Sequence, residues 1–405
     1  MILAGYCNIN FMSQPLLSII IATKNRSKYC FESVKSILLA LGANCELAIQ
    51  DNSDTNELEQ LLDNIADPRI KYNYTNSALS FVANFNQAME NSTGKFFCIL
   101  GDDDSITPDI LNIVEWMDHN HIESVCSANN VEYIWPNDKI ERYKDGELNI
   151  PPYSGTKKRL DLLDSLHKLI VLDGTLNYQS YCLPRTYHGI VKRSVFDLVK
   201  HKTGHYFGGL TPDIYSTIAL TCITKEHYVI DYPFTIAGAC PASASVANMT
   251  GGHSGRLDDA PHFRNRGDYV WEAEIPKYYS VETIWAETAL KALREMGENT
   301  LASRINLYKF LTYGIYANRK YIFRLTLSET MNLYKVLNMN QVAFYGKLYI
   351  SIAYVVGAGL LKKGFKKLTS KRSPIFSKKR INDLNQAIYE VNQYLLSNKI
   401  TFKDE

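Results

Sequence analysis

Three consecutive carboxylates, Asp102, Asp103 and Asp104, follow directly on the apolar run at residues 96–100. Crowded like charge of this kind is costly unless a cation or a set of donors offsets it. A hard divalent ion, Mg²⁺ or Mn²⁺, takes oxygen ligands, commonly one or two carboxylates, and fills its remaining positions with water and substrate phosphates. The chemistry expected of such a cluster is therefore handling of a diphosphate. The competing reading is an acidic turn that caps a helix starting near Pro108. Two other polar segments stand upstream, Ala22-Thr23-Lys24-Asn25-Arg26 and Gln50-Asp51-Asn52-Ser53-Asp54.

The elements that must carry these segments are legible from periodicity. Residues 16–22 form a short apolar run rich in β-branched side chains, which reads as a strand buried on both faces of a parallel sheet. Residues 27–41 carry Phe31, Val34, Ile37, Leu38 and Leu41 at helical spacing, with Gly42 placed to stop the helix. The alternation continues with strands at 46–50, 70–74 and 95–100 and helices at 56–65 and 80–90. Such alternation implies parallel strands with right-handed crossovers, and ligands bind beyond the carboxyl ends of strands in sheets of this type. The segments after residues 22, 50 and 100 should thus meet in one crevice.

Further along, the pattern predicts a helix at 108–120, a strand at 124–135 and an inserted loop at 136–156. A helix at 159–171, a strand at 188–191 and a helix at 212–224 follow. Residues 237–257 read as a flap or long connection. Beyond about residue 270 the pattern is helix after helix, clearest at 275–296, 301–319 and 381–396.

Together, in this order, the three polar segments resemble the family 2 glycosyltransferases of the GT-A fold. The family's usual forms are a strand ending P-T-x-N-R, a strand ending D-D-G-S and an apolar strand ending D-x-D-D. Residues 76–95, with Ala83-Asn84, Gln87-Ala88 and Ser92-Thr93-Gly94-Lys95, are similar to the stretch that leads into the third strand in that family. The resemblance covers residues 16–245. Ala22 stands where Pro is common, Gln50 where the second motif begins with Asp, and Gly101 where Asp is frequent.

The resemblance implies a Rossmann-like α/β fold with a mostly parallel central sheet. It implies transfer of a sugar from a nucleoside diphosphate sugar, UDP-sugar favoured, to an acceptor hydroxyl with inversion, in assembly of a bacterial surface polysaccharide such as capsule or O-antigen. Carried over residue by residue, Thr23, Asn25, Arg26, Asp51, Asn84, Asp102 and Asp103 would line the nucleotide-sugar site. Asp104 with Asp102 would hold Mn²⁺ or Mg²⁺. Asp213, in Gly208-Gly209-Leu210-Thr211-Pro212-Asp213, would be the general base, a role weighed against the helix-dipole preference for Asp in a first turn. His253 and Arg256 would clamp the diphosphate, or lie in a solvent loop. The processive synthases' Q-x-x-R-W is absent. A nucleotidyltransferase would want a Gly-rich phosphate loop after the first strand, and a non-catalytic sugar-nucleotide-binding scaffold would not need Asp102, Asp104 and Asp213 intact.

Bulk properties fit this reading. The chain has 405 residues, 46% hydrophobic and 21% charged, with a formal net charge of +2. That balance gives no global attraction to nucleic acid and excludes wholesale disorder. Eight scattered cysteines without a C-x-x-C pair read as reduced thiols of a cytoplasmic protein. Residues 1–14 read as a short extension, 15–265 as the catalytic domain and 266–405 as a helical region. Residues 342–361 are apolar apart from Lys347, and Lys362, Lys363, Lys366, Lys367, Lys371, Arg372, Lys378, Lys379 and Arg380 follow. This is either a helix docking on an anionic membrane surface, with a lipid-linked saccharide as acceptor, or a buried helix with a solvated basic linker.

Overall fold

The computed structural model of the chain describes residues 14–138, 140–243, 254–369 and 375–402, apart from the side chains of 142 and 360–369. The first strand, β1 (Leu17–Thr23), shows why an unbroken apolar run belongs at a sheet centre. Leu17, Ile19 and Ile21 point into one core and Ile20 into another, all of them fully buried. Around β1 the chain lays down α1 (Ser27–Ala40), β2 (Cys45–Asp51), α2 (Glu57–Leu62), β3 (Ile70–Tyr74), α3 (Phe81–Glu90) and β4 (Phe96–Leu100). Strands β2 and β4 flank β1 in parallel, with Thr23 opposite Asp51 and Ile21 opposite Leu100. This register brings the polar segments after all three strands to one edge.

Next come β5 (Ser105–Ile106), α4 (Ile110–His119), β6 (Ser124–Ser127), β7 (Val131–Ile134), β8 (Glu147–Ile150), β9 (Lys157–Arg159) and α5 (Leu162–His167). The chain continues through β10 (Gly189–Lys192), α6 (Arg193–Thr203), α7 (Pro212–Thr221), β11 (His227–Ile230) and β12 (Thr235–Ala239). The main sheet has eight strands in the order β3-β2-β1-β4-β10-β6-β11-β9. Strand β10 runs antiparallel between β4 and β6, a reversal that periodicity does not reveal. The strand expected over 124–135 is two strands: β6 stays in the main sheet and β7 enters a second one.

That second sheet, β15-β8-β7-β12-β5, changes the domain picture. The loop expected at 136–156 contains β8, whose partner is β15 (Phe376–Lys379) from the far end of the chain. Between them lie β13 (Gly255–Arg256), β14 (Tyr278–Tyr279), α8 (Val281–Glu295), α9 (Asn299–Ala302), α10 (Leu307–Ala317), α11 (Phe323–Val336) and α12 (Gln341–Thr369). After β15 the helix α13 (Leu384–Ser397) packs Leu384, Ala387, Val391 and Leu395 into the core that holds α1 and α4. Helices α8 and α10 bury Ala289, Leu290, Leu293, Phe310 and Leu311 in the opposite core with α3, α6 and α7. The residues from 266 onward are therefore not a free-standing region; they close both faces of the fold.

Helix starts follow local chemistry. Helix α8 begins at Val281 and not at 275, because Ser280 and Thr283 form a reciprocal capping box that fixes the first turn. The helix expected at 301–319 is split into α9 and α10, the second capped by Asn306. The seven described cysteines are all free thiols.

Candidate active site

The end of β4 turns sharply into the acidic triplet, and Gly101 makes the turn possible. A Cβ there would lie 2.6 Å from the Tyr187 hydroxyl and 2.9 Å from Asp104 Oδ2. This close approach explains why no Asp occupies position 101. All three aspartates are buried.

Each carboxylate has a different environment. Asp104 accepts from the backbone N–H of Gly101 at 2.6 Å and of Gly238 at 2.7 Å, from the Tyr187 hydroxyl at 3.0 Å, and lies 3.0 Å from His188 Nε2. His188 is itself anchored through Nδ1 to Thr235 Oγ1 at 3.0 Å. Burial alone would raise the Asp104 carboxyl, but His188 and the two backbone N–H groups hold it below the usual range. Both oxygens are used. The structure thus gives Asp104, expected to be a metal ligand, a different position: it is the clamp that ties β4 to β12 and to the segment before β10.

Asp102 accepts from Thr23 Oγ1 at 2.6 Å and from Arg26 Nε at 3.0 Å, both at Oδ2. Its Oδ1 is 2.6 Å from Arg26 Nη2 as an ion pair, yet outside hydrogen-bond geometry. Asp103 accepts the Cys240 N–H at Oδ2, and its Oδ1 faces Arg26 Nη1 at 3.7 Å. Burial, then the charges of Asp104 and Asp102, push the Asp103 carboxyl up to about 7. Burial likewise raises Asp102, against the pull of Arg26 and Thr23. One guanidinium faces two carboxylates here, so negative charge is left over once both are ionised.

Among the described residues no group of three or more His, Cys, Asp or Glu side chains could by itself hold a metal ion. What the cluster does offer is a pair of oxygens, Asp102 Oδ1 and Asp103 Oδ1, with unfilled acceptor capacity. Two carboxylates, with phosphate and water completing the shell, fit the habit of Mg²⁺ and Mn²⁺.

The other expected site residues divide. Thr23 and Arg26 join the triplet. Asn84 sends Nδ2 to the Thr23 carbonyl at 3.2 Å, and its buried Oδ1 has no hydrogen-bond partner among the described residues. Asn25, in the left-handed region at φ 57°, exchanges two hydrogen bonds with Asp54 and so ties the β1 and β2 ends together. Asp51 is fully buried; it accepts from the Ser53 N–H at 2.8 Å, an Asx turn, and from the Tyr72 hydroxyl at 3.0 Å. Arg256 is exposed on β13, 4.0 Å from Asp258 and not with the triplet. His253 lies outside the described residues.

Asp213 stands in the first turn of α7, after Thr211 and Pro212. The Tyr178 hydroxyl donates to its Oδ2 at 3.1 Å. Burial raises the Asp213 carboxyl, against the Ile214 N–H, Thr211 and Tyr178. Ser216, one turn further, bonds Thr186 at 3.0 Å, so α7 is docked on the strand segment that supplies Tyr187 and His188 to Asp104. Tyr178 and Tyr187 are the members that sequence reading missed, and His188, read from the sequence as structural, holds Asp104. A His beside a Tyr just before a short strand was the available signal.

Residues 18–168 match the family described as Glycosyl transferase family 2. The chain is 32% identical over 103 residues to WcaA of Escherichia coli (strain K12), named as a glycosyl transferase of colanic acid biosynthesis; the match covers 25% of this chain and 37% of that protein. It is 30% identical over 112 residues to the uncharacterized glycosyltransferase RC0461 of Rickettsia conorii, covering 27% of this chain and 18% of that one. The chain therefore spans well under half the length of either relative. Among solved structures it is similar to residues 1–349 of S. aureus TarS in complex with UDP-GlcNAc, with a TM-score of 0.46, 12% identity and coverage of 88% and 93% of the two chains. It is also similar to the mannosyltransferase PcManGT of Pyrobaculum calidifontis in complex with GDP-Man and Mn²⁺, with a TM-score of 0.37, 12% identity and coverage of 84% and 88%. The family match lies over residues 18–168, the strands and loops that build this crevice.

Proposed function

We infer that the chain transfers a sugar from a nucleoside diphosphate sugar, UDP-sugar favoured, to an acceptor hydroxyl with inversion, in assembly of a bacterial surface polysaccharide. The observation that carries this reading is the pair Asp102 Oδ1 and Asp103 Oδ1 opposite Arg26, at the strand ends matched by the family. These two oxygens would hold Mn²⁺ or Mg²⁺, which when bound neutralises charge on the leaving diphosphate. Thr23 fixes the Asp102 carboxylate by hydrogen bond, and Arg26 adds positive charge beside it. Asp213 takes the proton of the acceptor hydroxyl at Oδ1, while Tyr178 holds Oδ2. The acceptor oxygen then attacks the anomeric carbon on the face opposite the departing diphosphate.

Helix α12 supports docking on an anionic cytoplasmic membrane face. Its inner side packs Phe344 and Leu348 into the core, yet Val342, Tyr349, Ile350, Tyr354 and Val356 are all more than half exposed. Among the described residues it is the one helix long and apolar enough to cross a membrane by length and composition. Lys347 Nζ sits 5.7 Å from the Tyr308 ring, so the charge that interrupts the run has a partner within the fold. An acceptor carried on a lipid fits this surface.

The test is a donor screen over UDP-, GDP-, TDP- and CMP-sugars with MnCl₂ or MgCl₂, following nucleotide binding by thermal shift and donor hydrolysis by nucleotide release. One donor should bind wild type and lose binding in Asp103→Asn. Binding of none, or equal binding by the variant, overturns the reading.

A further inference from the structure

Behind the candidate base lies a second concavity that the proposed reaction leaves unassigned. Its volume is about 210 Å³, and Thr175, Asn177, Glu282, Trp285, Tyr313 and Tyr316 line it over a floor of Phe310. Three segments build it: the turn at 174–177, the first turn of α8 and the second half of α10. The turn is held tightly against α10. Gly174 has φ +73°, and a Cβ on it would meet the Asn306 carbonyl oxygen and the Phe310 nitrogen, both at 3.0 Å. Leu176 is also left-handed, at φ 56°. A backbone held this way at two of three positions is a built rim.

The concavity connects to the chemistry by direct contact. The Trp285 ring lies 5.3 Å from the Tyr178 ring, and the Tyr178 hydroxyl bonds Asp213 Oδ2. The lining residue Trp285 thus reaches the candidate base through one further ring, that of Tyr178, tilted at 58° to it.

The lining also selects the ligand. The lining residues include the carboxylate of Glu282 and no Lys or Arg, while the Arg319 guanidinium lies 3.9 Å from the Tyr316 ring and Lys309 Nζ 6.0 Å from the Tyr313 ring, so charges of both signs border the cavity and neither dominates it. Four aromatic rings offer flat apolar surface, while Glu282, Asn177 and Thr175 offer acceptors and donors at the rim. Glu282 Oε2 is positioned by Asn318 Nδ2 at 3.2 Å, which leaves Oε1 open. Flat apolar faces edged with directional polar groups complement a sugar ring, whose C–H faces are apolar and whose hydroxyls project sideways.

We propose that this cavity is the binding subsite for the neutral saccharide portion of the acceptor, the sugar preceding the one whose hydroxyl reaches Asp213. The proposal rests on the glycosyl-transfer reading for the word acceptor, and on the cavity alone for the word saccharide. The ring pair Trp285 and Tyr178 then couples acceptor occupancy to the position of the base.

The test is saturation-transfer NMR on the full chain with neutral malto-, cello-, manno- and chito-oligosaccharides, run alongside a thermal shift with UDP- and GDP-sugars. At least one oligosaccharide should receive saturation at its C–H protons, and excess UDP should not displace it. Tyr316→Ala, at an exposed position, and Trp285→Phe, which keeps an aromatic ring, should each weaken that contact, Tyr316→Ala by about tenfold. Nucleotide-sugar shifts should stay unchanged in both. No oligosaccharide contact, or contact indifferent to both substitutions, overturns the proposal even if nucleotide sugars bind. Saccharide contact with no nucleotide-sugar binding leaves the cavity as a saccharide site and overturns the transferase reading instead.

Discussion

Arg26 presents its guanidinium to Asp102 at 2.6 Å and to Asp103 at 3.7 Å, occupying the mouth between the two carboxylates that face the crevice. The arginine thus stands where a divalent cation would be drawn. Arg26→Gln removes the cation from a pair in which Asp102 is buried, and such losses cost about 3–5 kcal/mol. The expected result is a lower melting temperature without metal and a larger stabilisation by MnCl₂ than in wild type. A melting temperature unchanged without metal would show that the pair does no such balancing.

Neighbouring aspartates should behave in opposite ways. Asp104→Asn replaces an acceptor-only group facing four donors with one that carries its own N–H₂, and should destabilise the fold by about 3 kcal/mol. Asp103→Asn should leave the fold at least as stable and remove the response to MnCl₂. Denaturant melts with and without the metal separate the two; equal destabilisation by both would refute the division of roles.

The raised Asp103 carboxyl sets a pH dependence. Its folded value is about 7, against an ordinary value near 4. Between those values the native state keeps a proton that the unfolded chain has released. Stability is therefore full below pH 4, falls as pH rises, and has lost this contribution above pH 7. In EDTA, wild type should lose more stability from pH 5 to pH 8 than Asp103→Asn, by on the order of 2–4 kcal/mol. Parallel pH profiles for the two proteins would contradict this.

At the proposed base, Tyr178 donates to Asp213 and so favours the ionised form. Tyr178→Phe removes the donor, and the Asp213 carboxyl should rise further. The acidic limb of the kcat profile for transfer should move to higher pH, with the plateau above it largely kept. Asp213→Asn should lower kcat by about 10²- to 10⁴-fold with nucleotide-sugar binding retained. An acidic limb that stays in place in Tyr178→Phe would break the link between the two residues.

For the membrane reading, Ile350→Glu and Tyr354→Glu place charge on the exposed face of α12. Both should fall off phosphatidylglycerol vesicles that retain the wild-type chain, and high salt should weaken the wild type as well. Retention of both variants would argue that another surface docks.

The first half of the fold was readable because β1 and β4 are short apolar runs followed by polar strand ends, β3 alternates with a period of two, and α3 carries its apolar residues at helical spacing. Residues 70–74 and 80–90 fall within a residue of β3 and α3 for that reason. The same clarity misled at Asp104: the spacing of the triplet shows three carboxylates but not that Gly238, Tyr187 and His188 arrive from over eighty residues away to saturate one of them. Asp51 was obscured likewise, since the Tyr72 hydroxyl that covers it comes from the adjoining strand. Strand β10 could be located but not oriented, because four apolar-rich residues carry no sign of chain direction. The β8–β15 pair was hidden by its separation, and β15 itself, Phe376-Ser-Lys-Lys379, is exposed throughout and has the composition of a linker.

That pairing also bears on how the protein comes into being. Strand β8 waits for a partner more than two hundred residues downstream, and the core under α1 and α4 waits for α13. During synthesis the second sheet has an open edge until residues 376–379 leave the ribosome, although the crevice strands are complete long before. Long-range closure of this kind is slow and leaves a strand edge available to other chains. Nascent chains stalled before residue 376 should therefore call on chaperones, because the edge of β8 and the core surface meant for α13 stay uncovered.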